Sequence, residues 1–243
     1  MPRLGAGLGL VSRRRVGGGF QPSVRTALTW IWEPLPIYVT KDGSDKVSRV
    51  FDSSGAGNHT QVQTGAGRPT WVASGISGRP SLSFDGTANL LLSPVMNLPQ
   101  PSTVFVVYNR VGAQGTRFLF DALTSVGRQT YFALDAGQCD HYWEDTVSAR
   151  QIISAHVIST VGEILCCQYN GDSSKVRING IGTNAAYASG TPKVPSGMTL
   201  GARISGTLLY SGLVSVVVQY LASLSAGEIT QVESELRARW PVY

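Results

Sequence analysis

Residues 78–92, Gly-Arg-Pro-Ser-Leu-Ser-Phe-Asp-Gly-Thr-Ala-Asn-Leu-Leu-Leu, constrain the fold of this chain more than any other stretch. Leu82 and Phe84 alternate with Ser81 and Ser83, which makes one face apolar and the other polar. A period of two marks a half-buried strand. Asp85-Gly86 then supplies a turn, because glycine tolerates positive φ and an aspartate side chain bonds the backbone that follows it. Residues 89–92 are expected to return as the partner strand of a hairpin.

Short strand-like runs continue along the chain at 103–109, 117–122, 130–135, 151–159, 164–170, 175–179, 198–203 and 213–220. Their spacing, with turn residues between them, is that of a β-sandwich. The runs from Val104 to Tyr108 and from Val214 to Val218 are almost continuously apolar, which suits central strands covered on both faces. Asn170-Gly171 and Asn179-Gly180 are tight-turn signals. Residues 27–38, with Trp30, Trp32, Pro34 and Pro36, read as an extended connection at an edge or between sheets. Near the end, Ser225 and Glu228 have capping-box spacing. Ile229, Val232, Leu236 and Trp240 then share one helical face, with Glu233 and Arg237 placed as an i,i+4 pair. These signals predict an all-β, two-sheet antiparallel sandwich closed by one short C-terminal helix. Only 14% of the 243 residues are charged, while glycine numbers 28 and proline 12, as short strands joined by tight turns require. No run of eighteen apolar residues occurs, so no membrane helix is expected.

The charge is concentrated at the start. Residues 1–27 hold Arg3, Arg13, Arg14, Arg15 and Arg25 and no acid, whereas the remaining basic and acidic residues balance at fifteen each. The pI near 9.3 therefore describes an arm and not a basic body, which argues against a nucleic-acid-binding fold. Residues 1–20 contain six glycines and show neither helical nor strand periodicity. They bury too little apolar surface to order alone, yet Leu4, Leu8, Leu10 and Val11 are unlike a solvated linker. The segment reads as an extended basic arm over 1–27, ordered against a partner, ahead of a single domain over 28–243. The N-terminus lacks the continuous apolar core of a secretory signal, so export by its own signal is not expected. Of the three cysteines, Cys166 and Cys167 are adjacent in an apolar strand and fall on opposite faces; they read as buried, reduced thiols.

Several motifs in order resemble one family. They are Asp52-Ser53-Ser54-Gly55-Ala56-Gly57-Asn58, then Arg68-Pro69-Thr70-Trp71, Gly-x-Pro-x-Leu-x-Phe-Asp-Gly at 78–86, Val-x-Ile-Asn-Gly at 176–180, Leu200-Gly201, and Leu224-Ser225-x-x-Glu228 before the helix. Together they resemble the concanavalin A-like, or laminin-G-like, jelly rolls of phage and bacterial surface proteins. The Gly/Leu-rich opening, basic run and triple glycine are also similar in composition to small phage virion proteins. The resemblance implies a jelly-roll sandwich whose concave face in some relatives binds glycans or calcium, and in others hydrolyses glycans. Fold alone does not fix which of these applies.

The residues argue against catalysis. Glycosidases of this fold carry Glu-x-Asp-x-x-Glu on one strand, where alternate carboxylates share a face as nucleophile and acid, and no such spacing exists here. His59, His141 and His156 have no Gly-x-Ser-x-Gly elbow near a serine. Gly5, Gly7 and Gly9 precede no strand–helix unit and lack the lysine of a phosphate loop. One cluster remains, Asp140-His141-Tyr142-Trp143-Glu144-Asp145. It lacks strand alternation and reads as a loop in which Tyr142 and Trp143 offer flat faces to sugar rings, with Asp140, Glu144 and Asp145 as acceptors. Asp140, Asp145 or Asp52 offers hard oxygen ligands to calcium, although Asp52 and Asp85 read more simply as turn residues, and no cofactor is expected.

The expected function is therefore that of a structural phage virion protein, a capsid decoration, collar or tail component. Its neighbours would be other virion subunits, including copies of itself, held through Leu4, Leu8, Leu10, Arg13, Arg14 and Arg15. The alternative is a carbohydrate-binding module that attaches to a host-surface glycan. Neither reading involves an enzyme, a membrane or nucleic acid.

Overall fold

In chain order the strands are β1 (Leu28–Trp32), β2 (Val39–Lys41), β3 (Val47–Val50), β4 (Thr70–Val72), β5 (Ser81–Asp85), β6 (Leu91–Leu92), β7 (Ser102–Arg110) and β8 (Arg117–Ala122). They continue as β9 (Gln129–Leu134), β10 (Gln138–Glu144), β11 (Ala149–Ser154), β12 (Glu163–Tyr169), β13 (Lys175–Ile178), β14 (Ile181–Asn184), β15 (Met198–Leu200) and β16 (Ser211–Tyr220), followed by the helix α1 (Ala226–Arg239). The structure is a computed structural model that describes residues 18–111, 115–123, 129–134, 138–144, 149–154, 160–184, 194–204 and 206–243. In β9, β10 and β11 it describes the backbone path.

Two antiparallel sheets form the expected sandwich. The larger has the order β14-β13-β12-β7-β16-β5-β4, with β1 sharing the β5 edge of β16, and the smaller runs β11-β10-β9-β8-β15-β6. A separate two-stranded ribbon joins β2 to β3. The continuous apolar runs became β7 and β16, adjacent at the centre of the larger sheet. Val104, Val106 and Tyr108 face the smaller sheet's Phe120, Met198 and Leu200, whereas Phe105 and Val107 face α1. In β16 a bulge between Val214 and Val216 moves the alternation by one residue, so that Val214 and Val217 join the intersheet core and Val216 and Val218 the helix side. Cys166 and Cys167 divide the same way, one under α1 and one between the sheets, both buried and free. Burial pushes the Cys166 thiol well above its ordinary pKa.

The helix forms as its sequence dictates. The Ser225 hydroxyl accepts the Glu228 N–H, and the Glu228 carboxylate accepts the Ser225 N–H. Ile229, Val232, Leu236 and Trp240 are all buried against the larger sheet. Each such side chain contributes about 1.5–3 kcal/mol on burial, far more than the helix could draw from its own propensity. The i,i+4 partnership expected of Glu233 is replaced by a long-range one. Arg177 on β13 grips both carboxylate oxygens at 2.9 and 2.8 Å, because Glu233 is buried and a bidentate guanidinium satisfies it.

Two further expectations are corrected. Residues 89–92 do not pair with β5: β5 lies between β16 and β4, and β6 crosses to the other sheet beside β15. The Asp85 carboxylate gathers the N–H groups of Thr87, Ala88 and Asn89, and the Asn89 amide donates to the carbonyls of Ala66 and Arg68. The turn is therefore a crossover anchored to a third segment. Residues 28–32, read as a connection, form a buried strand on β16.

Packing also begins before residue 28. Phe20 is 4% exposed, with its ring 5.8 Å from that of Trp240. Its N–H donates to Glu33, a buried carboxylate that Arg239 also holds at 2.9 Å. Ser23 N–H donates to Glu235 and the Tyr220 hydroxyl to the Val24 carbonyl. Residues 18–24 thus form a strap across α1. The arm residues Leu4, Leu8, Leu10, Arg13, Arg14 and Arg15 lie outside the described residues.

Candidate functional site

Asp140, His141, Tyr142, Trp143 and Glu144 lie in β10 and not in a loop. Their composition shows no apolar–polar alternation; the strand is held by backbone pairing on both sides, with β9 and with β11. Successive residues of a strand belong to opposite faces. Asp140, Tyr142 and Glu144 therefore share one face, and His141 and Trp143 the other. Residues paired directly across a ladder share a face as well. Tyr142 lies between Thr130 and Gln151, and Asp140 between Phe132 and Ile153. On the other face His141 lies between Tyr131 and Ile152, and Trp143 between Gln129 and Arg150.

Strand β8 identifies the two faces. Phe120, 1% exposed and part of the intersheet core, pairs with Tyr131, whereas Phe118 pairs with Phe132 on the opposite face. The row through Tyr131, His141 and Trp143 is accordingly the inner face, and the row through Phe132, Asp140, Tyr142 and Glu144 the outer one. Tyr142 and Trp143, expected to act together on a sugar, are separated by the sheet. The outer face places Tyr142 between Thr130 and Gln151, with Asp140 and Glu144 on either side of it along β10 and Phe132 and Ile153 beside Asp140.

The remaining sequence candidates have structural partners. Asp52 accepts from the N–H groups of Ile31, Ser54 and Asn58 and from the Ser54 hydroxyl, at 2.8–3.1 Å. Four donors saturate a carboxylate, so Asp52 organises its Ser/Gly/Asn loop and has no lone pair directed to a cation. The His59 Nδ1 accepts the Asp52 N–H at 2.9 Å, which ties this histidine to the same loop. Burial pushes the Asp85 carboxyl up, but the N–H groups of Ala88, Thr87 and Asn89 outweigh it and hold the group below its ordinary pKa. Among the described residues no three His, Cys, Asp or Glu side chains converge on a metal position. Asp145 and His156 lie outside the described residues.

A second concave surface was not singled out from sequence. It is an open groove of about 430 Å³ between the β13–β14 hairpin and the outer side of α1, with Arg177, Asn179, Ile181, Ser234, Arg237 and Tyr243 among its walls. Its signal was the arginine at 237, which sequence spacing had assigned to Glu233.

No family model matches the chain, and no curated protein matches it in sequence. Solved structures do resemble it in fold. The botulinum neurotoxin serotype D binding domain superposes with a TM-score of 0.65 at 10% identity, over 89% of this chain and 53% of that one. A separate structure of the botulinum neurotoxin D receptor binding domain gives 0.63 at 9% identity, over 89% and 55%. The Trypanosoma rangeli sialidase in complex with sialic acid gives 0.58 at 15% identity, over 85% and 32%. The chain thus spans about half the length of the neurotoxin domains and about a third of the sialidase. At these identities the likeness shows a common β-sandwich fold.

Proposed function

We propose that the chain is a non-catalytic carbohydrate-recognition module that contacts sugar through the outer face of β9, β10 and β11. The observation that carries this reading is the outer-face rung Thr130–Tyr142–Gln151, with Asp140 and Glu144 flanking Tyr142 along β10. A pyranose presents an apolar C–H face and a rim of hydroxyls. An aromatic residue on a sheet face, with a carboxylate on either side along its strand and a polar residue on each neighbouring strand, complements both. The fold likeness to a neurotoxin binding domain and to a sialidase solved with sialic acid supports the same reading. Hydrolysis is disfavoured by spacing: Asp140 and Glu144 are four residues apart on one strand, about 13 Å at the usual strand rise. Glycosidase carboxylates stand closer, at about 5–9.5 Å.

A glycan array probed with the full chain tests the proposal. Sugar-specific retention is expected, with Tyr142→Ala lowering it about tenfold or more, as loss of an aromatic contact does at other interfaces, while the unfolding midpoint is kept. No sugar-specific retention, or retention indifferent to Tyr142, overturns it. Anchoring in a phage virion, the other sequence reading, depends on arm residues that lie outside the described ones, and none of the structural likenesses favours it.

A further inference from the structure

The groove beside α1 has a chemistry distinct from that of the β10 face. Asn179 and Gly180 turn the β13–β14 hairpin with φ of 54° and 81°, the left-handed pair of a two-residue hairpin. This turn brings the hairpin close to the helix: a Cβ on Gly180 would lie 3.8 Å from Glu233 Oε2, 3.9 Å from Arg177 Nη2 and 4.0 Å from the Tyr243 hydroxyl. Two arginines line the groove, and of these Arg177 alone is ion-paired among the described residues. Arg177 is bound through Nε and Nη2 to Glu233. Arg237 has no acidic partner among the described residues, and its guanidinium lies 3.7 Å over the centre of the Tyr243 ring. Stacking occupies the flat face of a guanidinium and leaves its in-plane N–H fork free. That fork is the group that binds a carboxylate in bidentate fashion.

The neutral groups around it are also unspent. The Asn179 carboxamide oxygen accepts the Ile164 N–H at 2.9 Å, which leaves its NH₂ without a partner among the described residues. Ser234 is exposed on the helix one turn before Arg237, and its hydroxyl has no hydrogen bond among the described residues. Ile181, 81% exposed, and Tyr243 add apolar surface to the groove lining. The volume falls in the range of small-molecule sites, about 300–1,000 Å³.

We propose that this groove binds an acidic sugar, with the carboxylate on the Arg237 fork, hydroxyls on Asn179 and Ser234, and the C–H face against Ile181 and Tyr243. One guanidinium fork without an ion pair among the described residues matches a single carboxylate better than a phosphate dianion, and the amide and hydroxyl without partners there match a polyhydroxylated ring. The site lies on the helix side of the larger sheet, whereas the β10 face belongs to the outer side of the smaller one. It therefore stands whether or not β10 binds sugar.

The test is calorimetric titration of the full chain with D-glucuronate at low salt, with D-glucose and acetate as controls. Saturable glucuronate binding is expected, with glucose and acetate each much weaker. Arg237→Ala should weaken it by about ten- to a hundredfold, the loss of a charge-assisted hydrogen-bonded pair. Ser234→Asp keeps Arg237 and its stacking but places a like charge beside the ligand, and should also abolish binding; both positions are exposed, so folding can be checked by unchanged unfolding midpoints. Any glucuronate binding that remains in Arg237→Ala and is lost on adding Tyr142→Ala belongs to the β10 face, which separates the two sites. Absence of saturable binding, acetate binding as tight as glucuronate, or indifference to both groove variants overturns the proposal.

Discussion

Phe84 and Asp85 are adjacent in sequence, yet different forces hold them. Phe84 is 1% exposed, with its ring edge-on to Tyr210 at 6.2 Å and closely covered by Gly201. A Cβ on Gly201 would lie 2.3 Å from the Phe84 ring, at a φ of 87° that also favours glycine. Phe84→Ala should therefore cost about 3–5 kcal/mol. Asp85→Ala removes an exposed acceptor whose nearest donor, the Thr87 N–H, is itself on an exposed residue, and should cost less, about 0.5–1.5 kcal/mol; urea unfolding of both variants compares the two. The Asp85 carboxyl is held below its ordinary value in the folded chain. Its contribution is thus complete above the ordinary carboxylate range near pH ~4 and is lost as pH falls through the folded value. Asp85→Asn should flatten that part of the acid limb in a pH series of unfolding midpoints. Alternation made Phe84 legible, and local turn chemistry made Asp85 legible. The destination of the next strand was not, because Asn89 sets it by bonding to Ala66 and Arg68, more than twenty residues away.

At the scale of elements, legibility followed whether an element carries its own periodicity. Helix α1 was readable end to end because cap, stripe and terminus all lie within sixteen residues. Ser225→Ala should lower stability by about 1 kcal/mol, measured by thermal or urea unfolding, as loss of an N-cap oxygen does. Strands β7 and β16 were readable because burial on both faces demands an unbroken apolar run. Strand β10 was not, since its polar and aromatic composition carries no apolar–polar alternation and its strand state comes from pairing on two sides. The groove escaped notice for a related reason: an i,i+4 Glu–Arg spacing is a weak preference of about 0.2–0.5 kcal/mol, easily overridden when Arg177 arrives from another strand. The strap over 18–24 carries no periodic signal at all. Its buried aromatic anchor is Phe20, and Phe20→Ala should cost about 3–5 kcal/mol, a loss that unfolding curves resolve readily.

On the whole-molecule scale the larger sheet is the shared wall of two cores, one toward the smaller sheet and one toward α1. The strap closes the second core. Glu33, 1% exposed, accepts from both Phe20 N–H and Arg239, so the strap and the helix are tied to one buried carboxylate at the end of β1. Removing the strap would open the edge of Trp240 to water and take away a donor from Glu33, and a buried acceptor that loses a donor is costly, at about 1–3 kcal/mol. Residues 2–17 lie outside the described residues, and their sequence carries no periodic element. Two truncations therefore separate arm from body. A chain lacking residues 2–17 should unfold cooperatively with the midpoint of the full chain, whereas one lacking residues 2–26 should lose several kcal/mol and gain heat- or urea-sensitivity first around α1, visible as early hydrogen exchange in Ile229, Val232 and Leu236. Equal midpoints for the two truncations would show that the strap adds nothing to the helix core. If the shorter truncation also keeps full sugar retention, recognition belongs to the sandwich; if it instead loses incorporation into phage particles, the arm has the anchoring role that Leu4, Leu8, Leu10 and the arginines at 13–15 suggest.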